Sequence, residues 1–138
     1  MTADPQEIYR RYLMASAFSR DADALAGLFT DDGVLEAPLV PPGHEYPRRL
    51  EGRAQIREGM AAYYRRPADA GQKVDTGRSR YVLHVTADPS VFIVEIDTVL
   101  TGPEGATTMS LVQIFRIRDG KIAMLRDYFA PEHVTREA

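Results

Sequence analysis

A carboxylate on a strand whose two faces are both largely apolar is the first candidate for chemistry in this 138-residue chain. In the segment Lys121 to Ala130, Ala123, Leu125, Asp127 and Phe129 alternate onto one face, and Ile122, Met124, Arg126 and Tyr128 onto the other. An ionised carboxylate in such company costs several kcal/mol unless it is paired, hydrogen-bonded or protonated. Asp127 therefore lines a pocket as an acid or base of raised pKa, or it forms an ion pair, with Arg116 or Arg118 across a hairpin. Glu95 and Asp97 stand two apart in the segment Val91 to Leu100 and share a face with Ile93 and Val99. They could act as a like-charged acid pair, and they equally fit an ordinary half-exposed strand with apolar residues inward and acids outward.

The histidines carry less. His84 shares a strand face with Arg80 and Val82, His44 lies in a proline-rich stretch where it could shuttle protons at a cavity mouth, and His133 falls near the end of the chain. No HxH or HxxxH spacing relates them, so no metal centre is expected. Tyr12, Tyr63 and Tyr64 lie on apolar helix faces as core residues whose phenols could also donate to a developing oxyanion. A GxSxG elbow, a phosphate-cradling glycine loop and a dinucleotide fingerprint are all missing, and the absence of cysteine excludes thiol nucleophiles and thiolate zinc.

These side chains need elements to hold them. Asp4-Pro5 starts a helix with Ile8, Tyr9, Tyr12, Leu13 and Ala17 on one face. Asp21 caps a second helix that carries Leu25, Leu28 and Phe29 and stops at Asp31-Asp32-Gly33, where the glycine could turn left-handed. Val34 to Ala37 reads as a short strand, Pro38 to Arg49 as an irregular loop, and Arg53 to Arg65 as a third helix through Ile56, Met60, Tyr63 and Tyr64, ended by Pro67. Ala68 to Gly77 is turn-rich. Strand patterns then run over Ser79 to Thr86, Val91 to Leu100, Thr107 to Arg118 and Lys121 to Ala130, the last two joined by the hairpin signal Asp119-Gly120. Helices followed by an antiparallel meander make an α+β order, in one domain spanning residues 1–138.

A formal charge of −3, from 17 basic and 20 acidic residues, offers no basic stripe, and nucleic acid is not an expected partner. The N-terminal segment lacks the apolar core of a signal peptide and no apolar run approaches the roughly 18 residues of a membrane span, so a cytoplasmic location is expected. The strands carry more apolar residues than one covered face requires, which predicts a homodimer through the sheet.

Three stretches carry a resemblance. Ala26-Gly27-Leu28-Phe29-Thr30-Asp31-Asp32-Gly33-Val34, Leu50-Glu51-Gly52-Arg53, and Arg118-Asp119-Gly120-Lys121-Ile122 leading into Arg126-Asp127-Tyr128-Phe129 resemble the SnoaL-like branch of the nuclear transport factor 2-like superfamily. The likeness implies a cone-shaped α+β fold, three N-terminal helices on a curved, mostly antiparallel sheet enclosing a pocket. Arg126-Asp127-Tyr128-Phe129 is similar to the last strand of limonene epoxide hydrolase, whose Arg-x-Asp on the neighbouring strand is matched here by Glu95-Ile96-Asp97. The run from Asp88-Pro89 to Glu95-Ile96-Asp97 is similar to the phenazine-biosynthesis A/B proteins, which implies that Glu95 and Asp97 lie on the cavity side.

The expected activity is acid–base catalysis beside a carbonyl, of the cyclase, condensation or isomerase type, with Asp127 as base and Asp97 or Glu95 as acid. Tyr12, His44, Tyr63, Tyr64, His84, Leu125 and Phe129 would bind a small apolar or polyketide-like substrate, with no cofactor and no metal. Water activation for epoxide opening, or a ligand-binding dimer without catalysis, are the alternatives.

Overall fold

The structure, a computed structural model, describes residues 4–66 and 73–131; the expected helix stop at Pro67 and His133 lie outside them. Helix α1 (Pro5–Leu13) begins where Asp4 accepts a hydrogen bond from the Gln6 amide, with proline in the first turn. It runs on into a π-helical turn over Met14–Phe18. That wider turn shifts the helical phase, so Ala15 is buried while Ala17 and Phe18, one of them expected on the core face, turn to solvent.

Helix α2 (Ala22–Gly27) is capped by Asp21, whose side chain accepts from the Ala24 amide as expected. It ends sooner than its apolar spacing suggests, because Phe29 already begins strand β1 (Phe29–Glu36). Asp31-Asp32-Gly33 consequently sits inside a strand, and Gly33 has no left-handed backbone. Its missing side chain serves close approach instead: a Cβ there would stand 3.0 Å from the Phe29 Cβ and 3.1 Å from the Ile122 carbonyl oxygen. Gly33→Ala is expected to cost about 1–3 kcal/mol in urea unfolding, the usual penalty of forcing atoms into a packed interior; an unchanged midpoint would show that the strand yields freely.

The last residue of the expected loop, Arg49, opens a short strand, β2 (Arg49–Glu51), antiparallel to β1. Helix α3 (Arg53–Tyr64) follows from Gly52, whose φ of 92° suits glycine. Arg53 fastens the helix start to β1, donating to the Phe29 carbonyl at 2.6 Å and pairing with Asp31 at 2.7 Å, which gives the Leu50-Glu51-Gly52-Arg53 motif a structural role.

Strands β3 (Lys73–Val74), β4 (Arg80–Val85), β5 (Val91–Gly102), β6 (Gly105–Arg118) and β7 (Lys121–Tyr128) complete one sheet in the order β2-β1-β7-β6-β5-β3, with β4 also on β5. The pairs β4–β5, β5–β6 and β6–β7 are antiparallel, as the meander requires, and the last hairpin turns on Asp119 and Gly120, both at positive φ. Strand β1 pairs parallel to β7 and makes the sheet mixed. Helix α1 lies on the inner face, where Phe115 meets Tyr9 and Tyr12 edge-on with ring centres 5.7 and 5.4 Å apart and stacks on Phe92 at 4.7 Å. The β6–β7 register slips between Arg116 and Ile117, leaving Ala123 as an extra residue in β7. That bulge turns Ile122, expected on the opposite face from Leu125, into the core beside it.

Candidate functional site

Two rows of side chains cross the inner face of the sheet. Phe92, Phe115 and Leu125 are register partners in one, and Val94, Gln113 and Asp127 in the next. The row that holds Asp127 is thus apolar except for one amide, and Asp127 itself is buried, with 5% of the residue's surface accessible. Burial drives its pKa up from the ordinary 3.8 to about 7, partly offset by the Gln113 amide beside it. The Gln113 Nε2 also donates to the Tyr12 hydroxyl at 3.2 Å. Since that phenol oxygen accepts, its own proton stays available.

Four buried side-chain atoms have no hydrogen-bond partner among the described residues: Asp127 Oδ1, Gln113 Oε1, Tyr9 Oη and Tyr64 Oη. Native interiors leave few such atoms, so a group of them marks a place built for something other than packing. The phenols of Tyr9, Tyr12 and Tyr46 are all held well above their usual pKa, first by burial and next by the Asp127 charge, which places the three around one carboxylate. Tyr64 rises to about 12, chiefly through burial, with Arg20 lowering it and Tyr63 adding to the rise.

Tyr46 and Gln113 were not among the residues expected at the site. Tyr46 comes from the proline-rich loop and packs edge-on against Phe129 and Tyr63, at 5.0 and 4.9 Å between ring centres. Gln113 breaks the apolar inner face of β6 between Leu111 and Phe115, and that interruption was the available signal.

Of the expected residues, Asp127, Tyr12, Leu125 and Phe129 are brought together in the core, with Tyr63 and Tyr64 half-buried at its edge. Arg66 and Arg20 cover those two rings, each 5.1 Å from the ring centre. His44 is half-buried in the loop and accepts from the Tyr46 amide through Nδ1 at 3.0 Å, so it orients the loop next to Tyr46.

Glu95, Asp97 and His84 are elsewhere. Both acids face solvent on the outer side of the sheet, opposite Asp127, because β5 buries Phe92 and Val94 and thereby turns the alternate residues out. Glu95 pairs there with His84 Nε2 at 2.5 Å, and Asp97 accepts from Ser110 Oγ at 2.7 Å. The cavity-side placement implied by the resemblance is corrected, and with it the expectation of like-charge coupling to Asp127. An Asp127 ion pair is corrected too, since Arg118 bonds Asp32 at 2.5 Å and Arg116 is exposed. No group of three or more His, Asp or Glu side chains that could hold a metal occurs among the described residues, nor does a helix long and apolar enough to cross a membrane.

Residues 9–125 match the SnoaL-like domain. The chain belongs to the SnoaL-like family. An uncharacterized PhzA/B-like protein of Pseudomonas aeruginosa is 32% identical over 113 residues, covering 80% of this chain and 74% of that one. Among solved structures, a provisionally assigned isomerase from Bacillus subtilis superposes with a TM-score of 0.70 at 25% identity, over 94% of this SnoaL-like chain and 88% of that one. A provisionally assigned polyketide cyclase of Pseudomonas putida KT2440 does so with a TM-score of 0.62 at 21% identity, over 94% and 92%. Three helices on a mixed, mostly antiparallel, unclosed sheet are what this SnoaL-like protein shares with them.

Proposed function

We propose that this SnoaL-like protein is an acid–base enzyme of the cyclase or isomerase type, acting beside a carbonyl group of a small molecule with Asp127 as general base. One observation carries the reading: a buried carboxylate with an unpartnered oxygen and a pKa raised to about 7. A general base works best with its pKa near the operating pH, and desolvation is how a carboxylate is brought there. The isomerase and cyclase assignments of proteins that share the fold support the same class.

In the proposed step Asp127 takes a proton from the carbon next to the carbonyl, and the electron pair moves onto the carbonyl oxygen. The Tyr12 phenol, held by Gln113 with its proton free, donates to that oxygen. Tyr9 and Tyr46 supply further phenols around the carboxylate, in the part first expected of Glu95 and Asp97. The protonated Asp127 then returns the proton to another carbon, or the enolate attacks a second carbonyl within the substrate and the protonated Asp127 gives its proton to the alkoxide that forms. Each step balances without a cofactor.

The test is hydrogen–deuterium exchange at the α-carbons of 2-tetralone in D2O, followed by NMR against a protein-free blank. Enzyme-dependent exchange should rise with pH as Asp127 ionises and level off above about 7. No exchange above the blank, or an undiminished rate in Asp127→Asn, would overturn the assignment.

A further inference from the structure

We propose that the ion pair between Glu45 and Arg66 is a latch that keeps the proline-rich segment 41–47 shut over Asp127, with Tyr46 as its stopper, and that its release opens the interior to small molecules. The inference rests on the reading of Asp127 as the reactive group and adds the way its site is closed and opened.

Tyr12, Tyr46, Asp127 and Phe129 keep only 7%, 8%, 5% and 5% of their surfaces accessible. Slivers of that size meet water but not a ring-bearing molecule, so an element has to move before one can touch the carboxylate. Segment 41–47 has the makings of that element. Pro41, Pro42, Gly43 and Glu45 are exposed, and Tyr46 is buried beside the Asp127 charge. The base of the segment is fixed: the Val40 amide bonds the Ala37 carbonyl at 3.1 Å, and the Ala37 amide bonds the Arg48 carbonyl at 2.8 Å. Between those ties the His44 amide makes a long bond of 3.3 Å to the Pro41 carbonyl. Exposed backbone of this kind opens locally at far lower cost than core strands do. Pro41, Pro42 and Pro47 stiffen the segment so that it swings as a flap, and Gly43, at φ 84° with open space where a Cβ would stand, is its pliant joint.

The latch has a fixed half and a moving half. Arg66 follows helix α3, where its amide donates to the Tyr63 carbonyl at 3.1 Å and its carbonyl accepts from Arg20 at 3.3 Å. Its guanidinium lies over the Tyr63 ring, 5.1 Å from the centre, and so is held ready whether the flap is up or down. Glu45 rides on the flap, and its Oε2 accepts from Arg66 Nη2 at 2.7 Å. Closing that pair sets the next residue, Tyr46, against Phe129 and Tyr63, while His44 Nδ1 accepts from the Tyr46 amide. The Arg66 and Glu45 side chains keep 22% and 49% of their surfaces accessible, so the pair should shift the balance of shut and open by about two- to fivefold, the range of a partly exposed ion pair.

The chain has no cysteine, and fully buried Val94 shares a row of the sheet with Gln113 and Asp127, so Val94→Cys places a single reporter thiol inside the site. Alkylation of that thiol by iodoacetamide tests the inference. At low salt it should be slow, at a rate that small additions of urea leave unchanged, since entry runs through local opening and not through unfolding. Glu45→Gln in the same background should speed it about two- to fivefold. Raising NaCl from about 0.05 to about 1 M should speed the parent by a similar factor and leave the Glu45→Gln chain unmoved, because only the parent has a pair to screen. Asp23→Asn removes an ion pair to Arg57 between α2 and α3 and, as the control, should change nothing. Equal rates in the parent and Glu45→Gln, an equal rise in Asp23→Asn, or a rate that climbs from the first addition of urea overturns the inference. Should Val94→Cys not fold, deuterium exchange at the Tyr46 amide, which opening strips of its bond to His44, is followed by NMR in the native chain and in Glu45→Gln, with the same outcomes decisive. Neither measurement uses turnover. A working latch without α-proton exchange would therefore sink the base assignment alone, and exchange without a latch would sink this inference alone.

Discussion

Asp127→Asn should lower turnover by about 10²- to 10⁴-fold, the usual contribution of a general base, while making the protein more stable at pH 8. The two effects have one cause. A carboxyl with a folded pKa of about 7, against 3.8 ordinarily, binds its proton more tightly in the folded state than in the unfolded one. Stability therefore falls as pH rises: the loss starts near the unfolded pKa, where only the unfolded chain ionises, and is complete above the folded pKa. At 1.36 kcal/mol for each pH unit of that gap, the loss sums to roughly 4 kcal/mol. Asparagine keeps the volume and carries no charge at any pH. Urea denaturation should therefore find the variant more stable than the native protein at pH 8 by up to that amount, with the difference fading toward pH 4. A variant less stable at pH 8 would mean that Asp127 holds the fold together and that a partner has been orphaned.

The second large effect is expected at Phe115, which is fully buried and touches Phe92, Tyr9 and Tyr12. Phe115→Ala should cost about 3–5 kcal/mol, the range for deleting a ring from a close-packed core, and lower the melting temperature by about 10–20 °C. Its consequence extends to the site, because the ring is what both tyrosines of α1 lean on. Weakened α-proton exchange in the surviving folded fraction should accompany the lost stability. A loss under about 1 kcal/mol by calorimetry would show that the core closes over the gap.

Much of this arrangement could be read from the chain. The four long strands and their hairpin showed in period-two alternation and in Asp119-Gly120, and the acid on an apolar strand pointed to Asp127 before any fold was known. Other features had no local signature. Leu25, Leu28 and Phe29 keep helical spacing across a boundary that tertiary pairing of Phe29 with Ile122 imposes. Ile122 changes face through a bulge that alternation cannot anticipate. Tyr46 reaches the carboxylate from an aperiodic, proline-rich segment, and only packing against Phe129 shows where it goes. Glu95 and Asp97 teach the reverse lesson, since apolar-in, acid-out alternation described their strand correctly where likeness to related proteins turned it the wrong way.

The place of β7 between β1 and β6 also bears on how the protein is made. Synthesis runs from the N-terminus, so Phe29 and Leu35 leave the ribosome long before Ile122 and Leu125, their partners in the parallel pair. At typical elongation rates the wait is on the order of ten seconds. For that time the nascent helices have only half a sheet to cover, and one edge of β1 stands open to pairing with another chain. The strand that finally closes the gap is the one carrying Asp127, so the carboxylate proposed as the base arrives with the last piece of the core. A nascent chain that ends before β7 lacks the proposed base, and the interval before closure is when this protein most needs shielding from its neighbours.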